Sequence, residues 1–193
     1  MSYVIKIRHV VNKKDHRMIQ TRFLPLIGLT VLVALLGYAL FQRTADPSGV
    51  VQIIDRPLPS LALPLLESDV AELDFATVQG PYVLNLFASW CLPCQVEHRV
   101  FMDQVSANGL PVYGIAYKDS YEDVTKWLDA RGNPYEQVVL DLKGMAGVTL
   151  GITGVPETFL IDEKGHIRYR HVGPVRPEDW QEILMPIWQK MNS

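Results

Sequence analysis

The second half of the chain alternates between short apolar runs and amphipathic segments. Residues 82–88 are almost continuously apolar, which predicts a strand covered on both faces. Residues 93–107 then place apolar side chains at helical spacing, and residues 112–117 form a second apolar run. Residues 120–131 predict a second helix, with Ser120 and Asp123 as a capping box at its start and Tyr121 among the inward-facing positions.

The remaining pattern completes one α/β domain. Strands are predicted over residues 138–140, 158–161 and 167–172, the last two joined by a hairpin turn. Pro177 opens a terminal amphipathic helix, which Pro186 should kink or whose regular part it should end at Met185. The order β-α-β-α-β, hairpin, helix predicts a mixed central sheet flanked by helices.

The N-terminal part carries a different pattern. Residues 23–41 are 19 residues without a charge, and as a helix they would span roughly 28 Å, close to the thickness of a bilayer core. Cations are concentrated before this run, so we expect residues 1–22 in the cytoplasm and the rest outside. A cleaved signal peptide is the alternative, but the run is long and no clean cleavage site follows it. We therefore predict a transmembrane anchor, a linker over residues 42–60 and a periplasmic domain over residues 61–193.

Charge is distributed unevenly along the chain. Residues 1–22 carry six cations and one acid, whereas residues 44–193 carry 11 cations and 20 acids, a net charge of −9. A domain this acidic lacks the basic surface that nucleic-acid binding requires, so nucleic acid is excluded as a partner. The two cysteines are too few for a disulfide-stapled scaffold.

Both cysteines lie in one tetrad, Cys91-Leu92-Pro93-Cys94, between a predicted strand and a predicted helix. The unpaired N–H groups and the positive dipole end of a helix N-terminus stabilise a thiolate. We therefore expect Cys91 to have a lowered pKa and to be the attacking sulfur. Cys94, one turn further and more buried, is placed to resolve a mixed disulfide, and Pro93 pre-sets the first helical turn.

Other uses of the cysteine pair are less consistent with the sequence. A purely structural disulfide across two residues would constrain the unfolded chain very little. Covalent haem attachment requires histidine after the second cysteine, where this chain has Gln95. A metal site using the two cysteines and His98 lacks an obvious fourth ligand. The pattern favours a dithiol/disulfide redox centre that needs neither a metal nor another cofactor.

Two segments carry a resemblance to a known family. Phe87-Ala-Ser-Trp-Cys-Leu-Pro-Cys-Gln-Val-Glu-His98 and Gly154-Val-Pro-Glu-Thr-Phe-Leu-Ile-Asp162 resemble those of thioredoxin-fold proteins. More narrowly, they resemble the membrane-tethered periplasmic thioredoxins of cytochrome c maturation, the CcmG/DsbE group. The resemblance covers roughly residues 45–190 and implies a thioredoxin-like fold behind an N-terminal transmembrane helix.

The resemblance also implies roles for individual residues. Cys91 matches the exposed nucleophile and Cys94 the resolving thiol. Pro156 matches a cis-proline that faces the pair and turns the Val155 backbone outward, where a partner's chain pairs with it. An ordinary trans turn proline is the alternative. Trp90 is implied to pack beside the disulfide and shape the docking surface, with a plain core tryptophan as the alternative.

Two acids match the family pattern, and the sequence differs from related proteins at two places. Glu97 and Glu157 resemble the acids that the group places around its active site, the alternatives being a solvated helix face and a loop acid. An acid near Cys94 would accept its proton, but it would also raise the thiol pKa, against the helix dipole. Asn85 stands where cytosolic thioredoxins have a buried acid, and it cannot relay a proton. The dipeptide Leu92-Pro93 differs from the Pro-Thr common in the group.

The implied function is that of a periplasmic reductant. It would keep the cysteines of apocytochrome c, or of a cytochrome c maturation thiol protein, reduced for haem ligation. A membrane electron donor of the DsbD/CcdA type would re-reduce the pair at the inner membrane. The alternatives are a general periplasmic reductase of the TlpA/ResA type and a haem or apocytochrome holdase in which the cysteines are incidental.

Overall fold

The computed structural model describes residues 15–44, 55–68 and 70–192. The chain divides into two units, Met1–Gly49 and Val50–Ser193. Residues 1–14 of the predicted cytoplasmic segment and residues 45–54 of the predicted linker lie outside the described residues.

The described part of the first unit is helix α1 (Asp15–Thr44), which includes the charge-free run at residues 23–41. Its large apolar side chains between Leu26 and Tyr38 are exposed. Among the described residues, no helix meets both the length and the apolarity that a membrane crossing requires. The anchor therefore stays a prediction from the sequence.

The second unit is built on a mixed sheet. Its strands are β1 (Arg56–Pro57), β4 (Tyr82–Phe87), β5 (Val112–Tyr117), β6 (Gln137–Asp141), β7 (Glu157–Ile161) and β8 (His166–Val172), and β2 (Ala62–Pro64) and β3 (Glu72–Asp74) pair separately. In the described part of the chain the order across the sheet is β1-β8-β7-β4-β5-β6. Strands β4, β5 and β6 run parallel, and β7 is antiparallel to both β4 and β8. The carboxyl ends of β4, β5 and β6 therefore meet at one edge of the sheet.

Helices cover both faces of this sheet. They are α2 (Leu92–Val100), α3 (Tyr121–Arg131), α4 (Met145–Leu150), α5 (Pro177–Asp179) and α6 (Met185–Met191). A π-helical turn, Phe101–Val105, extends α2, and another, Trp180–Leu184, joins α5 to α6. Successive residues of β4 enter two different buried clusters: Val83 and Phe87 pack with Trp127 and Trp180 on one face, and alternate positions such as Leu84 face the other. This is the alternation that a strand buried on both faces requires.

Much of the predicted order is confirmed. The strand at residues 112–117 has the predicted bounds, and α3 begins with the Ser120 Oγ accepting the Asp123 N–H at 3.1 Å. Tyr121 was expected to face inward and is 54% exposed, so that prediction is wrong. The short strands β1 to β3 and helix α4 were not predicted.

Helix α4 escaped prediction because three glycines surround and interrupt it, and glycine has low helix propensity. Its N-terminus is stabilised instead by a tertiary contact. The carboxylate of Asp141, at the end of β6, accepts the Met145 N–H at 2.8 Å and the Gly147 N–H at 3.1 Å. The helix thus depends on the preceding strand for its first turn.

Candidate active site

The two cysteines lie where the sequence pattern placed them. Cys91 is the N-cap of α2, directly after the turn that follows β4, and it forms a disulfide with Cys94 across a Cα–Cα distance of 5.3 Å. The Cys94 N–H donates to the Cys91 Sγ at 3.2 Å. The same N–H would stabilise a thiolate at this position when the pair is reduced.

Cys91 is less exposed than the family resemblance implied. In this disulfide form Cys91 is 4% exposed and Cys94 1%, so the expectation of an exposed Cys91 is wrong. The Cys91 Sγ is bonded to Cys94 and lies 3.6 Å from the carbonyl oxygen of Val155. This is a sulfur–oxygen contact, because the sulfur carries no hydrogen in a disulfide. Cys91 is still the more exposed residue of the pair.

The loop before β7 faces the cysteine pair. The Val155–Pro156 peptide bond is cis, which confirms the prediction for Pro156. The carbonyl of Pro156 accepts the Gly173 N–H at 3.0 Å, so this loop is tied to the segment that follows β8. A second cis bond, Gly80–Pro81, precedes β4 and was not predicted.

Trp90 lies on the surface beside the disulfide. It is 59% exposed, so the alternative of a core tryptophan is wrong. Its indole N–H donates to the Lys118 carbonyl at 3.2 Å. Leu92, inside the tetrad, and Val96, on the second turn of α2, are also exposed. Trp90 and Leu92 therefore place exposed apolar side chains on both sides of Cys91 in the chain.

Asp119 is a site residue that the sequence analysis missed. Its carboxylate accepts the Ser89 N–H at 2.5 Å and the Ser89 hydroxyl at 3.1 Å. It therefore fastens the turn that carries Trp90 and Cys91 to the end of β5. A signal for Asp119 was present in the sequence, because it comes two residues after the predicted strand at residues 112–117. The carboxyl ends of parallel strands meet at one edge of the sheet, so a polar residue there lies near the turn that follows β4.

Glu97 is buried, not solvated. It is 1% exposed, with its Oε1 accepting from the Asn85 Nδ2 and its Oε2 from the Val175 N–H, both at 2.9 Å. Burial raises the pKa of Glu97 to about 8, and the hydrogen bonds from Val175 and Asn85 partly oppose that rise. The alternative of a solvated helix face is therefore wrong.

Asn85 joins Glu97 to two further polar side chains. The Tyr135 hydroxyl donates to the Asn85 Oδ1 at 2.9 Å, and the Asn85 Nδ2 also reaches the Thr158 Oγ1 at 3.2 Å. Burial, and then the charge of Glu97, raise the pKa of Tyr135 well above its ordinary value, so the hydroxyl stays protonated. Neither Tyr135 nor Thr158 was predicted to belong to the site.

Glu157 belongs to a different environment. Its oxygens accept from the Arg170 Nε at 2.6 Å, the Arg170 Nη2 at 2.9 Å, the Thr153 N–H at 2.7 Å and the Thr153 hydroxyl at 2.9 Å. Successive strand residues point to opposite faces, and Thr158 faces Asn85, so Glu157 points away from Glu97. The alternative of a loop acid is wrong, and the two acids are not brought together.

Comparison with known proteins identifies the family. The Redoxin family model matches residues 54–184, more than half of the chain. The thiol:disulfide interchange protein DsbE of Escherichia coli (strain K12) is 39% identical over 176 residues, covering 87% of this chain and 95% of that protein. The chain belongs to the DsbE family of thiol:disulfide interchange proteins. DsbE of Vibrio cholerae is 37% identical over 173 residues, covering 88% of this chain and 94% of that protein.

Solved structures agree with this DsbE assignment. A crystal structure of a protein assigned as DsbE from Chlorobium tepidum has a TM-score of 0.59 at 25% identity, covering 72% of this chain and 98% of the other. A secreted thiol-disulfide isomerase from Corynebacterium glutamicum, at 20% identity, has a TM-score of 0.60 and covers 75% and 95%. The DsbE-family chain therefore has the thioredoxin-like fold that the sequence resemblance implied. The Redoxin match and the DsbE relatives show that it is a thiol-disulfide oxidoreductase.

Proposed function

We propose that this protein is a periplasmic reductant of c-type cytochrome biogenesis, in which Cys91 is the nucleophile and Cys94 the resolving thiol. The observation that carries the proposal is the disulfide at the start of α2, where the Cys94 N–H points at the Cys91 sulfur. A backbone donor and a helix N-terminus stabilise the thiolate that must attack.

The first step consumes the partner's disulfide. The Cys91 thiolate attacks one partner sulfur, the partner S–S bond breaks, and a Cys91–partner disulfide forms. The other partner sulfur leaves as a thiolate and takes a proton from water. Trp90 and Leu92 supply exposed apolar surface for docking, and the Val155 backbone beside the sulfur offers a place for the partner chain to pair as an added strand.

The second step releases the partner. Cys94 passes its thiol proton to the Glu97 carboxylate, its sulfur attacks Cys91, and the partner leaves as a second thiolate. The partner has then gained two electrons, and the protein is in the disulfide form. Glu97 lies one helical turn beyond Cys94, and its raised pKa of about 8 makes it a stronger base than an ordinary carboxylate. Glu157 is a weaker candidate because the Arg170 guanidinium holds its carboxylate.

The setting of the reaction is proposed from the sequence. The charge-free run at residues 23–41 and the cations before it favour an inner-membrane anchor with the catalytic domain in the periplasm. Tethering would keep the protein at high effective concentration near a membrane electron donor of the DsbD/CcdA type, which re-reduces the pair. The substrate would be apocytochrome c or a maturation thiol protein.

Trapping tests the order of the two steps. Cys94→Ala should accumulate a mixed disulfide with an oxidised peptide that carries the Cys-x-x-Cys-His segment, whereas the matched Cys91→Ala variant should accumulate none. Gel mobility with and without reductant measures both. Equal trapping by the two variants would overturn the assignment of Cys91 as nucleophile.

The reduction potential tests the direction of electron flow. A reductant should lie towards the thioredoxin value of about −270 mV, and an oxidant near about −120 mV. Equilibration with glutathione buffers measures the potential. A value at the oxidising end would reverse the proposed direction and leave the exchange activity intact.

A further inference from the structure

The two carboxylate oxygens of Glu97 have different hydrogen-bond partners, a side-chain amide at Oε1 and a backbone N–H at Oε2. The Val175 N–H can only donate, so the Glu97 Oε2 that it faces must remain an acceptor in both protonation states. Oε1 faces a carboxamide instead, which can exchange its N–H for its oxygen by rotation, so we place the proton of neutral Glu97 on Oε1. In the described arrangement that position is filled by a hydrogen of the Asn85 Nδ2.

The partners of Oε1 are groups that can reverse their roles. A carboxamide presents an acceptor on one side and a donor on the other, and a hydroxyl can donate or accept. Asn85 is fully buried and is flanked by the hydroxyls of Tyr135 and Thr158. Because a buried polar atom without a partner costs free energy, a carboxyl that gains a proton here needs neighbours that change with it.

We propose that the Asn85 carboxamide turns over each time Glu97 gains or loses a proton, which makes Asn85 and Tyr135 positioning residues of the exchange reaction. The inference rests on the role of Glu97 as proton acceptor in the proposed function. With Glu97 ionised, the Asn85 Nδ2 donates to Oε1 and the Tyr135 hydroxyl donates to the Asn85 Oδ1. With Glu97 protonated, Oε1–H donates to the Asn85 Oδ1, and the Asn85 Nδ2 donates to the Tyr135 oxygen.

This arrangement explains an asparagine at the position where cytosolic thioredoxins have an acid. A second carboxyl beside Glu97 would place two ionisable acids in one buried site, and each would oppose the ionisation of the other. A carboxamide carries no charge, and by rotating it presents its oxygen as an acceptor to the protonated oxygen of Glu97. The Cys94 proton can then enter the core without leaving Glu97, the Asn85 oxygen or the Asn85 nitrogen unpaired.

Tyr135 favours the ionised state of Glu97 over the protonated state. Among the described residues, the hydroxyl hydrogen of Tyr135 is donated to the Asn85 oxygen. This hydrogen bond exists only when the Asn85 oxygen faces Tyr135, which is the Asn85 orientation proposed for ionised Glu97. Removing the hydroxyl should therefore favour protonated Glu97. Among the described residues, the other titratable or charged groups on the elements around Glu97 include the disulfide-bonded Cys94, His98 and Arg99 on α2, Glu157 on β7, His171 and Arg170 on β8, and the Arg176–Asp179 pair after β8.

Nuclear magnetic resonance of the full-length protein in its disulfide form tests the turnover directly. Glu97 is titrated by its side-chain carboxyl ¹³C shift, and the contacts of the Asn85 side-chain N–H hydrogens are followed by NOE. We expect NOEs to the Glu97 methylene hydrogens above the Glu97 midpoint and to the Tyr135 ring hydrogens below it, with one shared midpoint. Asn85 NOEs that stay on the same side throughout the Glu97 titration would overturn the proposal.

Two variants and one rate measurement complete the test. Tyr135→Phe should raise the Glu97 midpoint by about half a pH unit, roughly a threefold change in proton affinity. The control Tyr113→Phe removes a hydroxyl on β5, where Tyr113 packs with Phe75 and Tyr82, and should leave the midpoint unchanged. Equal shifts in both variants would overturn the role of Tyr135.

The rate of thiol exchange with pH separates this inference from the proposed function. NOEs that follow the Glu97 titration support the carboxamide turnover whatever the rate does. If the exchange rate does not change across the Glu97 midpoint, Glu97 is not the proton acceptor for Cys94. That result would overturn the second step of the proposed function without contradicting the carboxamide turnover.

Discussion

At the scale of single residues, the site combines one stabilised sulfur with one destabilised carboxylate. The Cys91 sulfur receives the Cys94 N–H at the start of α2. Glu97, three residues further along the same helix, receives two hydrogen bonds, but burial outweighs them and raises its pKa. A helix terminus thus favours negative charge on sulfur, while the core one turn later favours a neutral acid.

The raised pKa of Glu97 predicts how stability depends on pH. Its pKa is about 8 in the folded protein and near the ordinary 4.5 when unfolded, so the folded state holds more protons between these values. Stability should therefore fall as pH rises from about 4.5 to about 8, with a slope of at most ~1.4 kcal/mol per pH unit. Glu97→Gln should flatten this dependence in urea unfolding curves, whereas exposed Glu182→Gln should retain it. A Glu97→Gln curve that is as steep as the wild-type curve would contradict the assignment.

The same side chain predicts the fate of the mixed disulfide. Glutamine cannot take the Cys94 proton, so Glu97→Gln should lengthen the lifetime of the Cys91–partner disulfide by about tenfold or more. Formation of that intermediate should be nearly unaffected, because it depends on Cys91. Rapid quenching of the reaction with acid, followed by mass analysis, separates the two steps. A slower first step with an unchanged second step would argue for a structural effect of the substitution.

At the scale of elements, β7 and β8 are joined by more than their ladder. The two strands pair from Glu157 to Ile161, and at one end Arg170 and Glu157 form a buried bidentate ion pair. Glu157 also receives the backbone and hydroxyl of Thr153, just before the cis-proline loop. This pair therefore fixes the loop that faces Cys91 to the neighbouring strand.

The buried pair predicts a large effect of one truncation. Arg170→Ala leaves the Glu157 carboxylate buried without its cation and should cost about 3–5 kcal/mol of unfolding free energy. The control Arg168→Ala, on the same strand as Arg170, breaks an exposed ion pair with Asp55. It should cost about 0–1 kcal/mol of unfolding free energy. The double variant Glu157→Leu, Arg170→Met should recover much of the loss. Denaturant unfolding measures all three, and equal losses in Arg170→Ala and Arg168→Ala would refute the argument.

At the scale of the whole chain, a basic N-terminal segment precedes an acidic catalytic unit. The six cations of residues 1–22 lie before the charge-free run, and residues 44–193 beyond it carry a net charge of −9. This asymmetry is what the positive-inside rule associates with an N-terminus in the cytoplasm. It also separates the part that would hold the membrane from the part that performs thiol exchange.

The predicted anchor is tested by fractionation. The full-length chain should remain in the membrane pellet after alkaline carbonate washing, and a variant without residues 1–41, given a cleavable export signal, should be soluble in the periplasm. Mass analysis of the mature full-length protein separates the two interpretations of the charge-free run, since a signal peptide would be removed. Release of the intact chain by carbonate would contradict the anchor.

Local patterns determined the order of most helices and strands and the place of the cysteine pair. The spacing of apolar residues predicts buried strands and amphipathic helices, and the four residues Cys91–Cys94 are contiguous. Neighbouring residues are therefore enough to predict these features. The capping of α3 by Ser120 was predictable for the same reason. Helix α4 was not, because its first turn depends on Asp141 at the end of a strand.

Only the tertiary structure decided what the two acids do. Glu97 and Glu157 look alike in the sequence, yet one is buried with an amide and a backbone N–H while the other is held by a guanidinium on the opposite face. Asn85 meets Tyr135 across 50 residues of chain and Thr158 across 73. Such contacts follow from strand order and helix packing, and no local spacing encodes them. The sequence by itself therefore determined the pair of sulfurs for which we propose thiol exchange, because they are close along the chain, and the packing of the sheet decided which buried acid we propose as the proton acceptor.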